Sequence, residues 1–299
     1  MLTRATITEV VERGLAEDAP WGDLTSEHLI PATTTARAGL VAREPGVFSG
    51  GEVLAAAFAA ADPAVAVERH LADGDRFEAG TVLATVTGPA RGVLTGERLA
   101  LNLVQRMCGI ATLTARYVAE VETAVARVEQ AANLPAGTIT RTRVADTRKT
   151  TPGLRALEKH AVVSGGGHNH RHGLSDAVMA KDNHLALLTA DGTDLTGALR
   201  RLRRRLPHTV HLEVEVDRLD QIEPVLAGGA DTVLLDNFSV PDLVSGVAIV
   251  DGRATVEASG GVRLETIGEI AATGVDVISV GALTHSARSL DLGLDVRLD

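Results

Sequence analysis

The chain has 299 residues, 45% of them hydrophobic and only 2% aromatic, with a formal net charge of −10. That length suits a barrel of ordinary size plus a smaller companion domain, its core packed from Ala, Val, Leu and Ile. The acidic balance argues against nucleic acid as a general partner, and Cys108 as the single cysteine excludes an intramolecular disulfide or a multi-cysteine metal site.

In chain order, residues 2–16 read as an amphipathic, acid-bearing helix without the apolar core of a signal peptide. The longest purely apolar run, 53–61, is far short of a membrane span. A soluble, cytoplasmic protein without a membrane partner is expected. Residues 36–47 read as extended and 53–60 as an Ala-rich helix. Residues 65–86 alternate apolar and polar around the turns Asp73-Gly74-Asp75 and Ala79-Gly80, as antiparallel strands do. Helices are expected near 94–107 and 111–125, broken at Gly109.

From about Gly137 the texture changes to short β-branched runs alternating with helical stretches. Strands are expected at 142–146, 177–181, 210–216, 232–236, 254–259 and 275–281, with helices near 218–227, 241–248 and 264–272 between the later ones. Such alternation means parallel βαβ units. No GxGxxG follows the first strand, which disfavours a dinucleotide-binding sheet. A barrel should carry its functional groups at the C-terminal ends of several strands. Here Arg148 and Lys149 follow the first strand, and His170 and Arg171 follow the 162–163 region. Lys181 ends the next, Glu213 and Glu215 another, then Asp236; Ser259-Gly260-Gly261 and Gly281 close the last two. The run 200–205, with five arginines, reads as the solvated end of a helix starting near Asp194.

Of 29 cationic residues only three are lysines, Lys149, Lys159 and Lys181. Lys159 reads as a surface residue. The other two sit in motifs. Arg148 and Lys149, with Thr147, Thr150 and Thr151, pair a planar fork with a point charge, a combination suited to carboxylates or phosphates. Three glycines before His168-Asn169-His170-Arg171-His172 allow close approach of backbone to a ligand. The alternating histidines invite a metal reading, but no acid or cysteine lies within the run and Arg171 would repel a cation, so an anion site fits better. An inward Lys181 needs an anion or neighbouring carboxylates. Glu215 and Asp236 suit either structural counter-ions or Mg²⁺ and ribose hydroxyls. The glycines after Ser259, with Gly281 and the segment to His285, fit a phosphate at the barrel end. From the residues alone, the chemistry stops at transfer or rearrangement of a sugar phosphate.

The strings DTRKTTPGLR at 146–155, GGGHNHR at 165–171, KDNH at 181–184, LLDNF at 234–238 and EASGG at 257–261 stand in order. With Trp21-Gly22-Asp23-Leu24-Thr25 and Thr95-Gly96-Glu97-Arg98, they make nearly the whole chain resemble the quinolinate phosphoribosyltransferase family. The resemblance implies an N-terminal α/β sandwich at 1–110 with the tail 287–299 packed back on it. An open seven-stranded, TIM-like α/β barrel is implied at 111–286. It implies a homodimer or higher homo-oligomer in which Arg98 is lent to the partner's site. Arg148, His170, Arg171 and Lys181 would hold the two carboxylates of quinolinate, and Lys149 the pyrophosphate of phosphoribosyl pyrophosphate. Glu215 and Asp236 would handle Mg²⁺ and ribose hydroxyls, and Ser259, Gly260, Gly261, Gly281 and His285 the 5′-phosphate. Lys149, Lys181, Glu215 and Asp236 are the expected catalytic set. Modest departures are Cys108 in place of a small hydroxyl residue, the extra His168, and a long 129–140 segment. The alternatives are a same-fold paralogue associated with molybdenum transport, nicotinate phosphoribosyltransferase, and a non-enzymatic nucleotide-binding sensor.

Overall fold

The computed structural model describes residues 2–137 and 142–297, so part of the long 129–140 segment lies outside the described residues. Two compact units form. The first joins Met1–Ala115, Lys149–Gly166 and Leu283–Asp299; the second joins Arg116–Arg148 and Gly167–Ala282. The chain therefore crosses between units several times, where the sequence places boundaries near residues 110 and 286.

In the first unit, alternation of small apolar residues makes a half-buried antiparallel sheet. Its order is Leu292–Arg297, Thr35–Ala42, Val82–Pro89, Ala66–Arg69. Ala38, Leu40 and Ala42 point to the core, as do Leu83 and Val86. The helix Gly51–Ala61 adds Val53, Leu54, Ala57 and Phe58, an i, i+1, i+4, i+5 stripe. Its N-terminus is held by the Asp73 carboxylate, which accepts from the Gly50 and Gly51 amides at 3.1 and 3.0 Å.

Three expectations change. The helices near 94–107 and 111–125 are one helix, Ala90–Ala131, running through Gly109. A Cβ on Gly109 would lie 1.9 Å from the Arg288 carbonyl oxygen, so this glycine admits a crossing backbone rather than breaking the helix. The intrinsic penalty of about 1 kcal/mol for a mid-helix glycine is small beside that packing. Residues 162–163 are not strand: they lie in the helix Arg155–Ser164, whose Leu157, Ala161 and Val162 form its buried face. Lys159, on the same helix, is buried rather than on the surface.

The second unit is built on a parallel sheet. Its strands lie in the order Arg143–Ala145, Val277–Ser279, Thr255–Ser259, Thr232–Asp236, Leu212–Val216, Val178–Ala180. A bridge sets His168 beside Ala145, the His168 amide donating to Val144 O at 2.8 Å and its carbonyl accepting from Asp146 N at 3.0 Å. Six strands and one bridge thus give seven positions among the described residues. The array stays open between His168 and Val178–Ala180, since a one-residue bridge offers too short an edge to continue the ladder. Register places Glu215, Leu234, Glu257, Val277 and Arg143 at one level, and Glu213 and Thr232 one level closer to the N-terminal ends. The arginine run ends the helix Leu195–Arg205, capped by Asp194 as expected, and Arg203 forks onto Asp231 at 2.9 and 3.1 Å.

Candidate active site

Because all strands are parallel, every C-terminal end in the second unit faces the same way. Those ends carry Arg148, His170, Arg171, Lys181, Glu215, Asp236, Ser259, Gly260, Gly261 and Gly281, ten of the thirteen expected site residues. Arg98, Lys149 and His285 belong to the first unit. There, the Lys149 carbonyl accepts from the Thr284 hydroxyl at 2.8 Å, the His285 Nδ1 lies 2.6 Å from Ser286 Oγ, and Arg98 is exposed on its helix.

The cations are placed for an anion. Arg148 Nε and Arg171 Nε are both buried without a hydrogen-bond partner among the described residues. An unmet guanidinium N–H away from water is costly unless a ligand satisfies it. Burial first, and then the like charge of Arg148, hold the Arg171 guanidinium below its ordinary range; Glu213 and Asp176 act the other way. One Arg171 N–H donates to Ala177 O at 3.2 Å and so fixes the side chain's direction. Lys181 follows the short apolar strand Val178–Ala180, and its Nζ donates to Glu215 Oε2 at 2.8 Å.

Glu215, Asp236, Asp182, Asn237 and Arg218 line a cavity of about 670 Å³. Asp236 accepts from Asn237 Nδ2 at 2.7 Å. Asn237 itself sits at φ 58°, in the left-handed region, and its amide donates to Ser259 O at 2.9 Å. This turn explains Gly260, where φ is 94° and a Cβ would lie 2.2 Å from Asn237 Oδ1. The strand-end glycine thus serves close approach of two strand-end turns.

Beneath the cations lies a group that the motifs did not reveal. The His170 amide donates to the buried Asp146 carboxylate at 2.9 Å, and its Nδ1 accepts from the Arg171 amide at 2.7 Å. That acceptor role leaves the ring proton on Nε2. Nε2 points at Glu213, 3.1 Å away, and stands 3.5 Å from Glu257 Oε1. Glu213 and Glu257 are only 3% and 4% exposed, and Glu257 Oε1 has no hydrogen-bond partner among the described residues. His170 therefore spends both ring nitrogens on the protein. Of the three alternating histidines it alone joins the group of possible metal ligands with Glu213 and Glu257, while His168 and His172 are exposed. A signal was present: acids on the inward face of otherwise apolar strands, in Leu212–Val216 and Thr255–Ser259, are almost never buried without a task.

Half-buried cations, facing carboxylates and a glycine turn at the C-terminal ends of a parallel α/β barrel give the second unit the layout of a barrel enzyme. The chain matches the Quinolinate phosphoribosyl transferase N-terminal domain over residues 23–108 and the C-terminal domain over residues 110–295. It is 42% identical over 297 residues to the nicotinate-nucleotide pyrophosphorylase [carboxylating] of Mycobacterium leprae, covering 96% of each chain. It is 41% identical over 283 residues to a probable enzyme of that name from Bacillus subtilis, covering 94% of this chain and 90% of the other. The crystal structure of NadC from Streptococcus pyogenes superposes with a TM-score of 0.89 at 36% identity, covering 100% of this chain and 99% of that one. The chain belongs to the quinolinate phosphoribosyltransferase family.

Proposed function

We propose that this chain transfers the phosphoribosyl group of phosphoribosyl pyrophosphate to the ring nitrogen of quinolinate. Carbon dioxide is then lost, giving nicotinic acid mononucleotide and pyrophosphate in the de novo route to NAD. The observation that carries this reading is the pair of buried Nε–H groups of Arg148 and Arg171 that have no hydrogen-bond partner among the described residues, a fit for a dicarboxylate. Lys181 completes the cationic set. Lys149 offsets charge on the leaving pyrophosphate, and Ser259, Gly260, Gly261, Gly281 and His285 take the 5′-phosphate.

Ring-nitrogen attack passes through an oxocarbenium-like sugar, which carboxylates beside the ribose stabilise. The bonded ring nitrogen is quaternary and lies next to a carboxylate. Loss of carbon dioxide leaves an electron pair on carbon beside that positive charge, and a proton then adds to that carbon, so the protein need only orient the carboxylate and admit the proton. Glu215 and Asp236 fit Mg²⁺: both are carboxylates on a cavity with room for phosphate oxygens, and Mg²⁺ favours few protein ligands plus substrate oxygens. When bound there, the ion supplies counter-charge to the pyrophosphate.

The reading includes a cytoplasmic homodimer or higher homo-oligomer in which Arg98 serves the partner's site. A lone buried thiol, Cys108, suits a reducing compartment, and among the described residues no helix is long and apolar enough to cross a membrane. The test is to mix purified protein with quinolinate, phosphoribosyl pyrophosphate and Mg²⁺. Carbon dioxide and pyrophosphate should appear in equal amounts. No release, or equal turnover of nicotinate, sinks the reading.

A further inference from the structure

The buried acids under His170 have no part in the reaction as derived above. Two carboxylates face one imidazole N–H in the barrel interior, and that N–H cannot satisfy both, as the bare Glu257 Oε1 shows. Two anions left together away from water repel each other strongly, so whether one of them takes a proton depends on the other charges nearby. The groups around Glu257 come from four other segments. Glu213 lies on the neighbouring Leu212–Val216 strand, and His170 comes from the loop. Ser279 on Val277–Ser279 donates its hydroxyl to the Glu257 carboxylate, and Arg143 on Arg143–Ala145 attracts it. Arg171, the residue after His170, feels the Glu213 charge.

A second cavity, of about 270 Å³, connects this group to polar surroundings. Arg143, His168, Asn169, His211 and Thr255 line it together with His170, Arg171, Glu213 and Glu257. Arg143, His211 and Thr255 lie at or before the start of their strands, the opposite end from Asp236 and Ser259. Protons thus have a polar approach to Glu257 from the side where Arg143, His211 and Thr255 begin their strands.

We propose that Glu257 is a proton-linked counter-ion of the dicarboxylate pocket: ionised when the pocket is empty, it takes up a proton when quinolinate binds. In the free protein Glu213 attracts the Arg171 guanidinium, which also feels Arg148, and Glu257 shares the His170 N–H with Glu213. Once the quinolinate carboxylates supply counter-charge, a second buried anion is superfluous, and Glu257 is neutralised through the polar cavity. Glu257 touches neither substrate; it acts through His170, whose ring is fixed between Glu213 and the Arg171 amide. Burial, and next the Glu213 charge, push the Glu257 carboxyl up to about 7, against His170, Ser279 and Arg143. That is where a bound dianion tips the balance. His170 is correspondingly a positioning residue for Arg171. A divalent metal in the same place is disfavoured, because a ring whose Nδ1 accepts the Arg171 amide has no free lone pair on Nε2.

The proposal rests on quinolinate being the ligand, and its test separates the two claims. Calorimetric titration of quinolinate into the full chain at pH 7.5, in PIPES, HEPES and Tris, counts protons taken up from the dependence on buffer ionisation enthalpy. About half a proton or more is expected per ligand, with Kd weakening roughly threefold to tenfold between pH 7 and 8.5. Glu257→Gln keeps the shape of the neutral carboxyl. It should bring uptake close to zero and flatten that pH dependence to less than about twofold. Binding without proton uptake by the natural protein, or identical uptake by the Gln variant, overturns the proposal while leaving quinolinate as ligand. If quinolinate does not bind at any pH, the functional reading itself fails. Should the variant not fold, infrared difference spectra of the natural protein with carboxyl-labelled quinolinate decide. A protonated protein carboxyl band must grow on binding, and its absence overturns the proposal.

Discussion

Glu213 and Glu215 stand two residues apart on one strand and on one face, yet they live in different media. Glu215 reaches the 670 Å³ cavity and pairs with Lys181, whose side chain is 44% exposed. Glu213 is one level deeper, 5% exposed at its side chain, and pairs with a histidine that is itself nearly enclosed. A step of two residues along a strand, about 7 Å, separates an acid on a cavity wall from one enclosed in the barrel. The difference teaches that surroundings, rather than residue type, separate these two acids in the barrel.

The sharpest way to break the comparison is to remove each acid and read both activity and stability. Glu215→Ala should lower kcat at least about 100-fold, on the order of 3 kcal/mol of barrier, as measured by pyrophosphate release. Its effect on unfolding should stay at about 1 kcal/mol, since the partner Lys181 is partly solvated. Glu213→Ala should show the reverse emphasis. Loss of a buried hydrogen bond to a charged group is expected to remove about 2 kcal/mol of stability in denaturant unfolding. If Glu213→Ala unfolds normally while Glu215→Ala does not, the depth argument is wrong.

The smallest effect concerns an acid outside the barrel. In the first unit Glu44 accepts from Arg288 Nη1 at 2.7 Å and from the Asp291 amide at 2.9 Å. The Arg288 hydrogen bond first, then the Asp291 amide, hold its carboxyl down at about 2, against a small desolvation effect. A lowered carboxyl contributes stability that is present above its ordinary value of 4.5 and fades as pH falls toward 2. Solvent screens this pair, because the Arg288 side chain is 70% exposed. Glu44→Gln should therefore change stability by less than about 1 kcal/mol at neutral pH and by nothing measurable near pH 2. A large neutral-pH loss would show that a surface acid can matter as much as Glu213.

Much of the site was legible in the chain because the chemistry needs particular side chains at strand ends. Ten candidates fall on one unit's C-terminal ends for that reason, and Gly260 is glycine because no side chain fits against Asn237. The strand-and-helix alternation likewise fixed a parallel sheet, since βαβ connections allow little else. Gly109 misled, because a glycine admits either a helix break or a close crossing and the tail that crosses it lies some 180 residues later in the chain. Lys159 misled similarly: its burial depends on packing that no local pattern records.

What the sequence determined by itself was thus the inventory: the cations, the acids, the glycines, and the periodicities that place them at the ends of strands. The tertiary structure alone decided partnership. It turned His170 inward onto Glu213 and Glu257, and left Arg148 and Arg171 with bare Nε edges. It also set Lys181 on Glu215. The physical reason is that charge pairing depends on distances of a few ångströms between groups 34 to 87 residues apart in the chain. The register of neighbouring strands, together with the turns that follow them, sets those distances.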